Sequence, residues 1–299
     1  MKTYRLYQID AFTKEKFTGN PAGVITNADG LSEEQMQKIA RELNHSETAF
    51  ILSSESEDYD THVRFFTPTK EVPICGHATI AAHYARAIEN KLKTSVLHQK
   101  TGAGILPIVI HQTEDDYTIT MTQGKIEFGS ILTGTEKEQL LTALGLTEQD
   151  LLDNYPIQIV STGHSKVLLG IKEIGKLHAL EPNHDMLAKL SGSINCNGYY
   201  VYTVHPGEDC YIHGRMFAPA IGIKEDPVTG NANGPLGAYL VHHNLVNHDN
   251  QGYAFKAKQG EAIGRTGVIE VKVKIEDRLP VEVEISGNAV IVYQTELTV

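Results

Sequence analysis

The sequence predicts an α+β protein of two related domains, each a curled, mostly antiparallel sheet around a central helix. Three observations lead to this reading. Short runs rich in β-branched and aromatic residues recur along the chain. In the clearest of them Val268, Glu270, Lys272 and Lys274 alternate with Ile269, Val271, Val273 and Ile275. One wet face and one apolar face suit an antiparallel sheet covered on a single side. Secondly, two glycine-led stretches, from Gly76-His77-Ala78-Thr79 to Tyr84 and from Gly230-Asn231-Ala232-Asn233 to Tyr239, are made of small and apolar residues. That is the pattern of a helix buried on every side. Thirdly, Arg64-Phe65-Phe66-Thr67-Pro68 recurs as Arg215-Met216-Phe217-Ala218-Pro219, each followed by a loop and one of the two glycine-led helices. Thr101-Gly102 before the strand at Ile105 likewise resembles Gln259-Gly260 before the strand at Val268. Matched elements in one order point to duplication, with a period too long for a solenoid.

The remaining elements follow from local signals. Strands are expected at Tyr4–Phe12, Val63–Phe66, Ile105–His111, Tyr117–Thr122, Ile157–Val160, Tyr199–Val204 and Val281–Ile285. In the first of these Leu6, Gln8 and Asp10 alternate with Tyr7, Ile9 and Ala11. Ser32 and Gln35 form a capping box, with Leu31 and Met36 placed as a hydrophobic staple; Met36, Ile39, Ala40 and Leu43 then share one helical face. A second surface helix opens over Thr135–Glu138 and stops at Gly145; a third covers Asp185–Leu190 and stops near Gly192. The repeat is expected to divide the chain into two similar domains, near 1–124 and 125–287, with a cleft between them.

Composition narrows the function. Of the 299 residues 41% are hydrophobic and 21% charged, as in a globular protein. The first twenty positions hold no apolar signal core, and no run nears the ~18 apolar residues of a membrane span. A cytoplasmic location and no membrane partner are expected. A net charge of −11 without a basic stretch argues against nucleic acid. Three cysteines, Cys75, Cys196 and Cys210, without C-x-x-C spacing, argue against a disulfide framework and a thiolate zinc site. Gly260–Thr266 imitates a P-loop but is one residue short, with Arg265 where lysine is required, and Gly102-x-Gly104 lacks the third glycine of a dinucleotide fingerprint. His242, His243 and His248 lack ligand spacing on one helical face. No cofactor and no metal are expected.

Several motifs taken together resemble the PhzF-like family. In the first half they are Gly19-Asn20-Pro21-Ala22-Gly23-Val24, Asn44-His45-Ser46-Glu47-Thr48-Ala49-Phe50, and Phe66-Thr67-Pro68 with Cys75-Gly76-His77-Ala78-Thr79. In the second they are Ser161-Thr162-Gly163, Phe217-Ala218-Pro219, Glu225-Asp226-Pro227-Val228-Thr229-Gly230, and Gln259-Gly260 with Gly264-Arg265. The resemblance covers nearly the whole chain. It implies the diaminopimelate-epimerase-like fold, with a strand at 288–299 returning to the first domain and the site in the cleft between the domains, a homodimer, and a cofactor-independent isomerase that moves a proton on a small carboxylated, hence anionic, metabolite.

Glu47 falls on the family's general acid/base position, and the resemblance assigns it that role. From the residues alone it lies between a charged helix and the apolar run Ala49-Phe50-Ile51-Leu52. Burial of a carboxylate there disfavours its charged form and suits it to proton exchange with carbon acids. His77 opens the first buried helix and Asp226 precedes the second; the resemblance places both in the site, where otherwise a cap and an Asp-Pro turn would account for them. Helix N-termini carry unpaired N–H groups and partial positive charge. Gly76 and Ala78 in one half, with Gly230, Asn231 and Ala232 in the other, are therefore expected to bind the substrate carboxylate. Asn231 stands where serine is common in the family. Cys75 is read as a small buried residue, because Asp226–Asn233 offers no second thiol for a two-thiol racemase. An epimerase using Glu47 and Asp226, or a non-catalytic metabolite-binding protein, are the alternatives.

Overall fold

A computed structural model describes residues 1–299. It divides into two compact units, Met1–Thr122 with Ser286–Val299, and Gln123–Ile285. No helix is long and apolar enough to cross a membrane.

The first unit contains β1 (Thr3–Ala11), β2 (Asn20–Ile25), α1 (Glu33–Leu43), β3 (Thr48–Ser53), β4 (Thr61–Phe66), β5 (Glu71–Val72), α2 (Gly76–Asn90), β6 (Ser95–Thr101), β7 (Gly104–Gln112) and β8 (Tyr117–Thr122). The last strand of the chain, β18 (Ala289–Thr298), closes it by pairing with β1. From β18 the order is β1, β2, β3, β4, β6, β7, β8, with the β2–β3 and β4–β6 pairs parallel and the others antiparallel. Helix α2 touches strands from both ends of this order, so the sheet curls around it. Its run from Gly76 to Ala85 is buried on all sides, as small side chains permit. On the outer face α1 seats Met36 and Ala40 against Leu6, Ile25 and Phe50. Both faces of β1 are therefore covered, and Leu6 through Ala11 are all buried.

The second unit contains β9 (Glu127–Ile131), α3 (Gly134–Leu144), β10 (Gln158–Ser161), β11 (Lys166–Gly170), α4 (Ile174–His178), α5 (His184–Ile194), β12 (Tyr199–Val204), β13 (Ile212–Ala218), β14 (Ile223–Asp226), α6 (Gly230–His242), β15 (Gly252–Gln259) and β16 (Gly267–Glu276), ending in β17 (Leu279–Gly287). From β9 through β10, β11, β12, β13 and β15 to β16, parallel pairs again occupy the β11–β12 and β13–β15 steps, and every other step is antiparallel. The two units thus share one pairing pattern, and α6 takes the place of α2 against β10, β11, β15 and β16. Helices α3 and α5 cover the outer face, packing Leu140, Leu144, Leu187 and Leu190 with Val167, Leu169 and Val201. Each such side chain contributes about 1.5–3 kcal/mol.

Two helix boundaries differ from the sequence reading. Helix α3 starts at Gly134 after Thr133, which makes no side-chain cap bond, so Thr135 lies inside the helix. Helix α5 runs through Gly192 to a left-handed Asn195, because Asn adopts that conformation where glycine was expected to be needed.

Inside the first curl His83 is fully buried, with Nε2 2.8 Å from Gln99 Oε1. Burial pushes the imidazole down from 6.5 to about 4, against the Gln99 bond that raises it and with a further lowering by the Arg86 charge. The folded state thus holds fewer protons than the unfolded state between these values. The stabilisation is complete above pH ~6.5 and is lost as pH falls towards 4, by about 2–4 kcal/mol. Urea midpoints measured from pH 7 to pH 4 should fall more steeply for the wild type than for His83→Gln. Parallel curves would show that His83 carries no such linkage.

Candidate active site

In the first unit the site residues meet where α1 ends and α2 begins. Asn44 stops α1 in the left-handed region, at φ 52°, and the chain turns at once into β3. Glu47 stands at that entry, its side chain 15% exposed. Cys75 precedes α2 in an extended conformation and makes no side-chain cap bond. The first backbone N–H to find a helical acceptor is that of Thr79, on Cys75 O at 3.0 Å, and the Thr79 hydroxyl donates to the same oxygen at 2.7 Å. The N–H groups of Gly76, His77 and Ala78 lie ahead of this bond, where an α-helix supplies no partner.

His77 joins these pieces. Its Nε2 is 3.4 Å from Glu47 Oε2 and 3.3 Å from Ser46 Oγ, and its Nδ1 is 3.4 Å from Cys75 Sγ. The imidazole thus stands between a carboxylate and a thiol. If the thiol donates to Nδ1, the N–H lies on Nε2, facing Glu47. This geometry suits proton exchange at Glu47. The ligand atoms of Glu47, Cys75 and His77 also lie within 4.8 Å of one another, a donor set that a soft divalent cation can use.

In the second unit Asp226 ends β14, 7% exposed, and accepts a short hydrogen bond from the Thr229 hydroxyl. Gln259 locks this corner. Its amide donates to Asp226 O at 2.7 Å, and its Oε1 accepts from Thr229 N at 3.1 Å and from Asn233 Nδ2 at 3.1 Å. Tyr200 completes the network by donating to Asn233 Oδ1 at 2.6 Å. Gly230 and Ala232 are buried in the first turn of α6. Asn231 Oδ1 accepts from Gln123 Nε2 at 3.4 Å, so the amide found in place of serine has a polar partner. Gln123 is held by Thr162 Oγ1 at 2.7 Å and lies against Gly234, where a Cβ would come within 1.7 Å of Gln123 Oε1. Only glycine admits that approach.

The family model for phenazine biosynthesis-like proteins, PhzC-PhzF, matches residues 9–295. The chain belongs to this family. An uncharacterized isomerase of Clostridium acetobutylicum is 69% identical over 99% of both chains. The trans-2,3-dihydro-3-hydroxyanthranilate isomerase of Pseudomonas aeruginosa is 31% identical over 95% of this chain and 96% of its own. A solved structure of a PhzF-family protein from Bacillus anthracis superposes with a TM-score of 0.89, at 34% identity and full coverage of both chains. The protein is accordingly an isomerase of the PhzF family, with the α+β fold of diaminopimelate-epimerase type.

Three side chains do more than the sequence reading assigned to them. Cys75 is buried, as expected of a small core residue, but its thiol also faces His77. Ser46 shares His77 Nε2 with Glu47. Lys166 lies buried at the start of β11, folded into the space that Gly198 leaves open: a Cβ there would meet Lys166 Cδ at 2.3 Å. Burial pushes its ammonium down, opposed by the charges of Cys196 and Asp226. Its Nζ donates to the Ser165 carbonyl at 3.2 Å, and no sequence signal announces a lysine buried here.

Proposed function

We propose that this PhzF-family protein isomerises a small carboxylated metabolite, with Glu47 as its general acid/base. The contact between Glu47 Oε2 and His77 Nε2 at the start of the buried helix α2 carries the reading. Glu47 takes a proton from a carbon next to a carbonyl, enamine or alkene and returns it at another carbon. His77 holds the carboxyl group through Nε2 and polarises it. The N–H groups of Gly76, His77 and Ala78 bind the substrate carboxylate or the charge that develops as the proton leaves. Within the second unit, Asp226 and the first turn of α6, Gly230, Asn231 and Ala232, offer a second carboxylate-binding corner of the same kind in this reading.

A panel of small carboxylates, including trans-2,3-dihydro-3-hydroxyanthranilate, can be incubated with the protein in deuterated water and read by mass spectrometry. An unbiased metabolite pull-down would extend the panel. One or more compounds should be turned over to a positional isomer, with solvent deuterium at the new C–H bond wherever Glu47 exchanges its proton before return. Cys75→Ala should retain most of this turnover, because the thiol contacts His77 and the matching stretch Asp226–Asn233 holds no second thiol. A product differing only in configuration would make the protein an epimerase. Complete loss of activity in a folded Cys75→Ala protein would instead place the reacting proton on sulfur.

A further inference from the structure

A second cluster lies entirely in the second unit, among residues that the isomerase reading does not use. His213 on β13, His178 at the end of α4 and Glu261 beyond β15 converge so that one ligand atom from each lies within 4.8 Å of the others. Glu261 Oε2 is 2.7 Å from His213 Nδ1 and 3.3 Å from His178 Nε2. We propose that these three side chains form a binding site for a first-row divalent metal ion of the zinc type.

Two imidazoles and one carboxylate are a sufficient protein ligand set for tetrahedral zinc, the fourth position being left to water. Zn–N and Zn–O bonds of about 2.0–2.2 Å put neighbouring ligand atoms about 3.3 Å apart, so the observed spacings need only small adjustments. The other ring nitrogen of His213 is the second observation. His213 is 5% exposed, and its Nε2 is buried without a hydrogen-bond partner. The Glu208 carboxylate oxygen Oε2 lies 3.9 Å from it. A neutral His213 donating from Nδ1 to Glu261 would leave Nε2 as a bare acceptor facing a carboxylate, an unfavourable arrangement. A metal on Nδ1 places the proton on Nε2, where Glu208, on an exposed loop, can swing in to accept it. That is the usual carboxylate–histidine–metal arrangement of bound zinc. Glu261 Oε1 remains available to Lys258 at 3.9 Å.

The scaffold holds the ligands in place before any metal arrives. His213 and Arg215 are two residues apart on β13 and project to the same face. The Arg215 guanidinium donates to the carbonyls of Leu177, His178 and Leu180 at 3.1, 3.3 and 2.8 Å. The backbone carrying His178 is thus tied to the strand that carries His213. The long sequence separations between His178, His213 and Glu261 explain why no ligand spacing was visible in the chain.

The test uses the intact protein, stripped of metal and titrated with zinc against a chromophoric chelator. One equivalent should bind in wild type and in the control Cys75→Ser, which disables the other trio of donors. Binding should be lost in His178→Ala and in Glu261→Gln. The first of these changes a residue exposed enough to leave folding intact. Glu208→Gln should weaken binding by roughly 10–100-fold, the usual effect of removing an outer-shell partner. Cobalt in place of zinc should give visible d–d bands without a thiolate charge-transfer band. No binding, binding that survives His178→Ala and Glu261→Gln, or a thiolate band lost in Cys75→Ser would overturn the proposal.

Discussion

Glu47→Gln should lower turnover at least about 100-fold while leaving substrate affinity within a few fold of the wild type. Glutamine matches glutamate in size and still accepts a hydrogen bond from His77 Nε2, which lies 3.4 Å from the present carboxylate. It cannot take up a proton at neutral pH. General acid/base catalysis contributes about 10²–10⁴-fold, so this single change should remove that much from the chemical step. The carboxylate of the substrate is bound, in this reading, by the first turn of α2, which the substitution does not touch. The loss should therefore appear in kcat, with KM almost unchanged. A Glu47→Gln protein that folds, binds and turns over at the wild-type rate would end the assignment of Glu47 as proton shuttle.

The two members of the repeated Arg-x-Phe motif should respond very differently to the same substitution. Arg64 and Arg215 each grip a glutamate with two parallel hydrogen bonds, Glu71 at 2.7 and 2.7 Å and Glu225 at 2.9 and 2.7 Å. Each also lies over the phenylalanine two residues on, at 5.1 and 5.0 Å from the ring centre. Their burial differs. The Arg215–Glu225 side chains are 8% and 11% exposed, those of Arg64 and Glu71 19% and 39%. Arg215→Met would strand a buried carboxylate and the three carbonyls that the guanidinium serves, a loss of about 3–5 kcal/mol. Arg64→Met leaves Glu71 able to reach water and should cost about 1 kcal/mol. Urea unfolding of the two variants should separate them by at least ~2 kcal/mol. Equal shifts would mean that burial does not govern the strength of this motif.

What the sequence revealed depended on whether a signal was local. The capping box at Ser32 and Gln35 is present with both of its bonds, because capping is decided within four residues. The small-residue runs after Gly76 and Gly230 are the two central helices, since only small side chains fit inside a curled sheet. Strand β2 was hidden by Pro21, which argues against a central strand. It is tolerated because β2 pairs with β3 only from Gly23 onward, so at Pro21 a single neighbour is present. Within the candidate site, Glu47 and His77 were singled out through family motifs, whereas the contact of Cys75 with His77 depends on the extended conformation that precedes α2. The meeting of His178, His213 and Glu261 depends on the pairing of β13 with β15 and on the grip of Arg215. Composition and spacing carry no trace of either.

The pairing of β18 with β1 bears on how the polypeptide matures. The ten residues of β18 complete a sheet whose other strands precede the second unit, so the whole of that unit is translated in between. At the usual elongation rates that interval lasts on the order of ten seconds or more. Throughout it β1 offers an open edge, with the N–H and C=O groups that later pair from Thr298 to Ala289 exposed to other strands. The second unit, continuous in sequence, has no such wait. Nascent chains arrested before Ala289 should therefore be protease-resistant in the second unit and labile in the first, the reverse of the order in which the two are synthesised.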